Sequence, residues 1–114
     1  LINNRLQRWR KLQSADHYKQ VFDQRQWASS RYFKACNKEN GLDHSRLGLA
    51  ISKKISKSAV VRNMLKRHIR ESFRCNQKVI KGLDIIVLSK QESVMANSIE
   101  LRQDLNLLWK RCQK

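Results

Sequence analysis

An amphipathic helix stands between two apolar strands in the middle of the chain, and this order constrains the fold more than any other feature. Residues 46–52 alternate bulky Leu and Ile with Gly48 and Ala50, which predicts a strand with one filled face and one nearly bare face. Residues 59–77 have helical periodicity, and residues 84–89 form a short apolar run typical of a buried strand. A strand, a helix and a strand in this order imply a crossover, so we expect a mixed sheet.

Local patterns predict the remaining elements. Ser14 is placed to cap a helix over 15–24, and Asn97 with Glu100 is a capping pattern at the start of a final helix that reaches Cys112. Residues 30–37 favour a strand, and the turn after it contains Asn40-Gly41, a pair typical of a β-hairpin. The predicted order is then α-β-β-α-β-α. In an alternative order, the second strand region consists of two strands. The absence of proline and of repeats favours a single domain over residues 1–114.

The charge of the chain restricts its partners. It has 25 Lys and Arg against 9 Asp and Glu, a formal net charge of +16. Such self-repulsion is tolerable when the working partner is a polyanion. No stretch approaches the roughly 20 apolar residues of a membrane span, and residues 1–5 lack the apolar run of a secretory signal. The three cysteines form no C-x-x-C pair, and we expect a reduced, cytoplasmic chain.

The positive charge is concentrated in residues 46–78, where ten basic side chains accompany one acid, Glu71. On a helical wheel the polar side chains of the central helix fall within an arc of about 140°. These are Arg62, Asn63, Lys66, Arg67, Arg70 and Arg74. Val61, Met64, Leu65, His68 and Ile69 lie on the opposite arc. Stacked cations cost the helix a few tenths of a kcal/mol per pair, whereas Arg suits phosphate oxygens, so this face predicts a phosphate-binding surface.

The segment just before this helix extends the same surface. Lys53, Lys54 and Lys57 alternate with three serines, a composition that can cradle phosphates near a helix N-terminus. In the first helix, Tyr18 and Phe22 share one face, and an adjacent bare sheet face would let them stack on unpaired bases. Ordinary packing of a helix on a sheet accounts for the same two aromatics.

The middle of the chain resembles the protein component of bacterial ribonuclease P. The resemblance is carried by residues 46–54, RLGLAISKK, followed by residues 62–73, RNMLKRHIRESF. That family has a strand like R-x-G-L-x-x-S-K-K and then a helix like R-N-R-x-K-R-x-x-R-E-x-F. Three further segments also resemble the family. Its first helix is similar to residues 18–22, YKQVF, and its D-[YF]-[IV]-[IV]-[IV] strand is similar to residues 82–88, GLDIIVL. Its closing helix is similar to residues 105–111. The resemblance spans about residues 11–112.

The resemblance implies an α+β two-layer sandwich of order α-β-β-β-α-β-α, with a central mixed sheet and a left-handed β-α-β crossover. It implies that a large RNA subunit hydrolyses precursor tRNA with magnesium at the RNA active site, while the protein binds no cofactor and supplies no catalytic side chain. The expected partners are ribonuclease P RNA and the 5′ leader of precursor tRNA, with no membrane and no DNA specificity. Self-association without RNA stays open.

Two surfaces follow from the resemblance together with the residues. We expect the RNA subunit to contact Lys53, Lys54, Lys57, Arg62, Asn63, Lys66, Arg67, Arg70 and Arg74. We expect the leader cleft to consist of Tyr18, Phe22, Tyr32, Phe33, Arg46, Gly48 and Ala50. The sequence departs from the family pattern at Met64, where an Arg is usual. It also has Ala35 where the alignment expects an aromatic residue facing the cleft.

Three other functions compete with this interpretation. A ribosomal or other structural RNA-binding protein has similar charge, although the R-N-x-x-K-R-x-x-R-E-x-F run argues against it. A protein-only nuclease needs clustered carboxylates or histidines, and the acids here are dispersed. A sequence-specific DNA reader is disfavoured because the helices lack helix-turn-helix spacing.

Overall fold

A computed structural model describes residues 10–12 and 14–112, and its elements follow the α-β-β-β-α-β-α order that the resemblance implies. In chain order they are α1 (Ala15–Gln24), β1 (Gln26–Ser29), β2 (Phe33–Glu39), β3 (Arg46–Leu49), α2 (Ala59–Cys75), β4 (Leu83–Ser89), a 3-10 helix (Gln91–Met95) and α3 (Ser98–Cys112). The predicted caps are confirmed. Ser14 accepts from the His17 N–H at 3.1 Å, and Asn97 and Glu100 bond to each other's backbone N–H groups.

The four strands form one sheet in the order β1-β2-β4-β3. β4 is antiparallel to β2 and parallel to β3, so the predicted mixed sheet is confirmed. The parallel pair β3 and β4 is joined through α2, as the strand-helix-strand pattern predicts. The left-handed sense of this crossover stays a prediction.

The hairpin predicted at Asn40-Gly41 is wrong, because β4 lies between the two strands that this turn connects. The turn itself forms, and Gly41 adopts the left-handed region at φ 70°. Its bonds are made to the β4 side of the sheet. The Asn40 N–H donates to the Gly82 carbonyl at 2.9 Å, and the Asn40 amide donates to Asp84 at 2.9 Å. The hairpin of this fold is the β1–β2 pair.

The strand predicted over 30–37 starts later, at Phe33, and the chain before it turns back from β1. The buried carboxylate of Asp104 on α3 stabilises this turn. It accepts from the Ser30 hydroxyl at 2.6 Å, the Arg31 N–H at 3.1 Å and the Tyr32 N–H at 2.9 Å. A side chain far along the chain therefore fixes the turn between β1 and β2. An additional strand, β1, precedes the predicted one, whereas the second predicted strand region, 46–52, contains the single strand β3.

Apolar side chains pack on both faces of the sheet. One core, formed with α2 and α3, surrounds Phe33, Ala35 and Ile85, and a smaller core under α1 surrounds Cys36 and Ile86. Neighbouring residues of a strand point to opposite faces, which explains this division. The expected two-layer sandwich describes the sheet with α2 and α3. Helix α1 covers part of the other face and adds a third layer.

The three cysteines are free thiols, with Cys36 and Cys112 buried and Cys75 exposed. Burial raises the pKa of Cys36, and it raises the pKa of Cys112 to about 12. Because the thiolate is the reactive form, we expect one thiol per chain to react with a disulfide reagent at pH 8 in the native state, and three in denaturant. Rapid reaction of two or three thiols in the native protein would contradict this burial.

Replacing Asp104 with Ala should destabilise the protein by about 3 kcal/mol, since two backbone N–H groups and a hydroxyl lose a charged acceptor. Urea unfolding measures the change. Asp23→Ala removes the same charge from an exposed position and should change the free energy of unfolding by less than about 0.5 kcal/mol. Equal effects of the two substitutions would show that charge, and not the turn, is responsible.

Candidate nucleic-acid interface

Helix α1 crosses the strands of the sheet. Its Tyr18 ring packs on Gly48 of β3, and the Leu49 N–H donates to the Tyr18 hydroxyl at 3.2 Å. Nearly one turn later Val21 is fully buried, and its carbonyl accepts from the Cys36 thiol of β2 at 3.2 Å. The helix therefore runs from β3 towards β2, over the smaller core.

Gly48 is required by the close approach of the Tyr18 ring. A Cβ at this position would lie 2.8 Å from Cζ of Tyr18, closer than side chains tolerate. The bare strand face predicted at Gly48 and Ala50 is therefore partly filled, because Tyr18 covers the Gly48 part of it. Ala50 remains partly accessible.

A groove of about 610 Å³ opens beside Tyr18, between α1 and α2. Ala50 and Leu88 are among the apolar residues that line it, and Lys66 and Arg70 of α2 line it as well. The sequence predicts an aromatic cleft and a cationic helix face as two surfaces. In the structure they meet in this groove, which we call the α1 groove.

The polar side of α2 forms a ridge of positive charge. This cationic ridge consists of Arg62, Asn63, Lys66, Arg67 and Arg70. The opposite side of the helix buries Leu65, Ile69 and Phe73 completely. Phe73 thus belongs to the core. Among residues 10–12 and 14–112 no carboxylate forms an ion pair with the ridge, and Arg62 donates to the Ser56 carbonyl at 2.8 Å.

The segment before α2 adds to this charge. Lys53, Lys54 and Lys57 are all exposed, and Ser58 caps α2 by accepting from the Val61 N–H at 3.3 Å. The first turn of α2 contains no acidic residue. Its free N–H groups and positive dipole end therefore reinforce the three lysines, an arrangement suited to phosphate groups.

Arg74 lies apart from the ridge. It lines a separate groove of about 430 Å³ between α2 and α3, together with His68 and Arg102. Burial lowers the pKa of His68; Glu71 opposes this shift, and Arg67 and Arg102 add to it. His68 is half-buried, in agreement with its predicted position on the apolar arc.

Three residues predicted for the leader cleft lie elsewhere. Phe33 is fully buried in the core shared with α2 and α3, on the sheet face opposite α1. Tyr32 is in the turn before β2, and its hydroxyl donates to Glu100 at 3.1 Å. Arg46 makes two bonds to the buried carboxylate of Asp84, at 2.8 and 2.7 Å, and these bonds raise the pKa of Arg46. It compensates a buried charge and does not line the α1 groove.

The surroundings of Phe22 differ from those of Tyr18. Phe22 packs against the smaller core and contacts Trp27 of β1, with 6.1 Å between the ring centroids. Sequence reasoning missed Trp27, because β1 is only four residues long and shows little alternation. The local signal for Trp27 is weak, since its place depends on pairing with Cys36 across the sheet.

The two departures from the family pattern are explained by the faces on which the residues lie. Met64 is half-buried and packs against the larger core, as its position on the apolar arc predicts. Ala35 is fully buried in the same core, so it does not face α1. Cys36 of β2 packs under α1, so the side chain of β2 buried there is a thiol and not an aromatic ring.

Within the described part of the chain, no group of three or more His, Cys, Asp or Glu side chains is arranged to hold a metal ion. Likewise, none of its helices is long and apolar enough to cross a membrane.

Fold and site together define a small basic α+β protein of the RNA-binding class. The sequence matches the family Ribonuclease P over residues 6–113. The chain belongs to the ribonuclease P protein family, whose members are subunits of the tRNA-processing endoribonuclease. The alternative of a ribosomal or structural RNA-binding protein is not favoured.

Relatives and solved structures agree with this assignment. The chain is 40% identical over 112 residues to the ribonuclease P protein component of Pseudomonas entomophila, covering 97% of this chain and 84% of that protein. The RNase P protein from Thermotoga maritima is similar in structure, with a TM-score of 0.80 and 33% identity over 89% of this chain and 96% of that one. The Staphylococcus aureus RNase P protein gives a TM-score of 0.81 at 28% identity, over 89% and 93%.

Gly48→Ala should destabilise the protein by about 1–3 kcal/mol, because the new methyl group displaces the Tyr18 ring. The matched test is a double-mutant cycle measured by urea unfolding. In a Tyr18→Ala background the three atoms nearest to the new methyl group, all of Tyr18, are absent, and the Gly48→Ala cost should fall to less than half. An unchanged cost in that background would show that the ring is not what excludes a side chain at position 48.

Proposed function

We propose that the cationic ridge and the adjoining lysines of this protein bind the catalytic RNA of ribonuclease P, while the α1 groove holds the single-stranded 5′ leader of precursor tRNA. The single observation that carries the proposal is the shared wall of the groove. Lys66 and Arg70 belong to the ridge and also line the groove beside Tyr18. A strand in the groove would therefore pass next to an RNA bound along α2.

The chemistry of the groove favours single-stranded RNA. Tyr18, Ala50 and Leu88 offer an aromatic edge and an apolar floor, which suit the faces of unpaired bases. Lys66 and Arg70 are placed for the phosphates of the same strand. Contacts of this kind are tolerant of sequence, which is a requirement for a site that binds many different leaders.

The protein contributes binding and charge compensation, and the RNA performs the hydrolysis. We propose that magnesium ions act at the RNA active site, and that the chain holds no cofactor of its own. Unpaired cations next to two phosphate backbones lower the repulsion between the leader and the catalytic RNA, so the complex should form at lower magnesium concentration. Three free thiols, two of them buried, support a reducing, cytoplasmic compartment.

Reconstitution tests the proposed function directly. A bacterial ribonuclease P RNA and precursor tRNA are mixed at low magnesium and physiological salt, with and without the protein. We expect removal of the 5′ leader to depend on the protein under these conditions. Tight RNA binding without stimulation of cleavage would overturn the proposal and would make the ridge a general phosphate-binding surface.

Replacing Lys66, Arg67 and Arg70 with Ala should weaken binding of the RNA subunit and flatten its salt dependence by about 2 units of slope, since each lost phosphate contact removes somewhat less than one unit. Filter binding over a range of salt concentrations measures the slope. The control variant, Lys19→Ala with Lys81→Ala and Lys110→Ala, removes the same charge from exposed positions off the ridge. If both triple variants have the same slope, net charge rather than the ridge explains binding.

A further inference from the structure

The register of the sheet continues the floor of the α1 groove towards β1. Lys34 of β2 lies opposite Leu88 of β4, and Ser29 of β1 lies opposite Lys34. The Ala50 N–H donates to the Val87 carbonyl at 3.0 Å, which extends the pairing of β3 with β4 by one residue. Cross-strand partners share a face, so Ala50, Leu88, Lys34 and Ser29 form a row that runs alongside α1.

Trp27 lies next to the β1 end of this row, in the neighbouring row of Gly48, Ile86 and Cys36 that α1 covers. It pairs with Cys36, which belongs to the core under α1, so its side chain lies on the same sheet face as the groove. The ring is 48% exposed and is tilted by 34° to the neighbouring Phe22 ring. The Lys34 ammonium lies 5.3 Å from the centroid of the Trp27 ring. An aromatic ring and a cation are thus displayed together at the end of the groove farthest from α2.

Packing in the hydrophobic core does not explain why Trp27 lies at this position. Trp27 is nearly half exposed, whereas Trp109 is fully buried in the larger core. A large aromatic side chain left half open on an edge strand contributes only part of its apolar area to folding. The same ring, with a lysine beside it, has the composition of a base-stacking platform with a phosphate contact.

We propose that Trp27, supported by Phe22 and accompanied by Lys34, is a second base-stacking subsite for the 5′ leader, at the end of the α1 groove distant from the cationic ridge. This inference rests on the proposed function, in which the RNA subunit lies along α2. A nucleobase would cover the Trp27 ring, and the Lys34 ammonium would move to the adjoining phosphate. An exposed cation–π contact is weaker than the stacking of a base, so the exchange favours the bound strand.

The dependence of binding affinity on leader length distinguishes binding at this subsite from binding in the rest of the groove. Precursor tRNAs with leaders of about two to eight nucleotides are bound to the reconstituted holoenzyme. Trp27→Ala should weaken binding of the longer leaders about tenfold and leave the shortest unchanged, since only a long leader reaches β1. Trp27→Phe keeps an aromatic ring and should restore most of the affinity. A loss that is equal at every length, or no loss at any length, would overturn the subsite.

Lys34→Gln gives a second measurement that loss of packing would not mimic. The salt slope should flatten by about 0.7 for long leaders, the value for one phosphate contact with a single strand, and should not change for short ones. Circular dichroism and urea unfolding check that both variants keep the wild-type fold. A slope that is unchanged for long leaders would remove Lys34 from the subsite.

Fluorescence distinguishes failure of the subsite from failure of the proposed function. A single-stranded RNA of about eight nucleotides is titrated into the full chain alone, and the quenching lost in Trp27→Phe is assigned to Trp27. If the wild-type holoenzyme does not prefer precursor over mature tRNA, the proposed function fails. The quenching then tests base stacking on Trp27 separately. Its presence supports stacking on Trp27, and its absence overturns the proposed subsite.

Discussion

The insertion of β4 between β2 and β3 is the constraint on which the rest of the structure depends. Ile85, Ile86 and Val87 of this strand are fully buried, and their side chains alternate between the two faces of the sheet. One strand therefore anchors both cores, the larger one under α2 and α3 and the smaller one under α1. Because β4 also pairs with β3 in parallel, a crossover must join these two strands. Helix α2 is that crossover, and its Lys66 and Arg70 line the α1 groove.

The shape of the α1 groove depends on small residues at two positions of one strand and the segment after it. Gly48 lets the Tyr18 ring descend onto β3, where the Leu49 N–H fixes its hydroxyl. Ala50, one step further along the same face, leaves space that no side chain fills. A larger residue at position 48 would lift α1, and a larger residue at position 50 would fill the groove. The alternation of small residues thus lets α1 pack closely at one position and leaves the groove open at the next.

Features set by local sequence could be predicted, and features set by distant partners could not. The Ser14 cap, the Asn97–Glu100 capping box and the two faces of α2 depend on residues within one or two helical turns. The Asn40-Gly41 pair correctly indicates a turn, but whether the flanking strands pair depends on β4, more than 40 residues later. The break before β2 depends on Asp104, and the position of Trp27 depends on its cross-strand partner. The predicted cleft residues that lie elsewhere are Tyr32, Phe33 and Arg46. Their surroundings depend on the turn before β2, on the side of the sheet and on a buried charge.

The distribution of charge separates the needs of folding from those of binding. Where a cation serves the fold, it is paired, as Arg46 is with the buried Asp84. Along α2 the cations lack such partners among the described residues, and their mutual repulsion works against folding. Cations attract any nucleic acid and give affinity without selection. Aromatic side chains stack on bases that are free of a duplex, so in the proposed function the selection for a single strand comes from Tyr18 and its neighbours on the sheet.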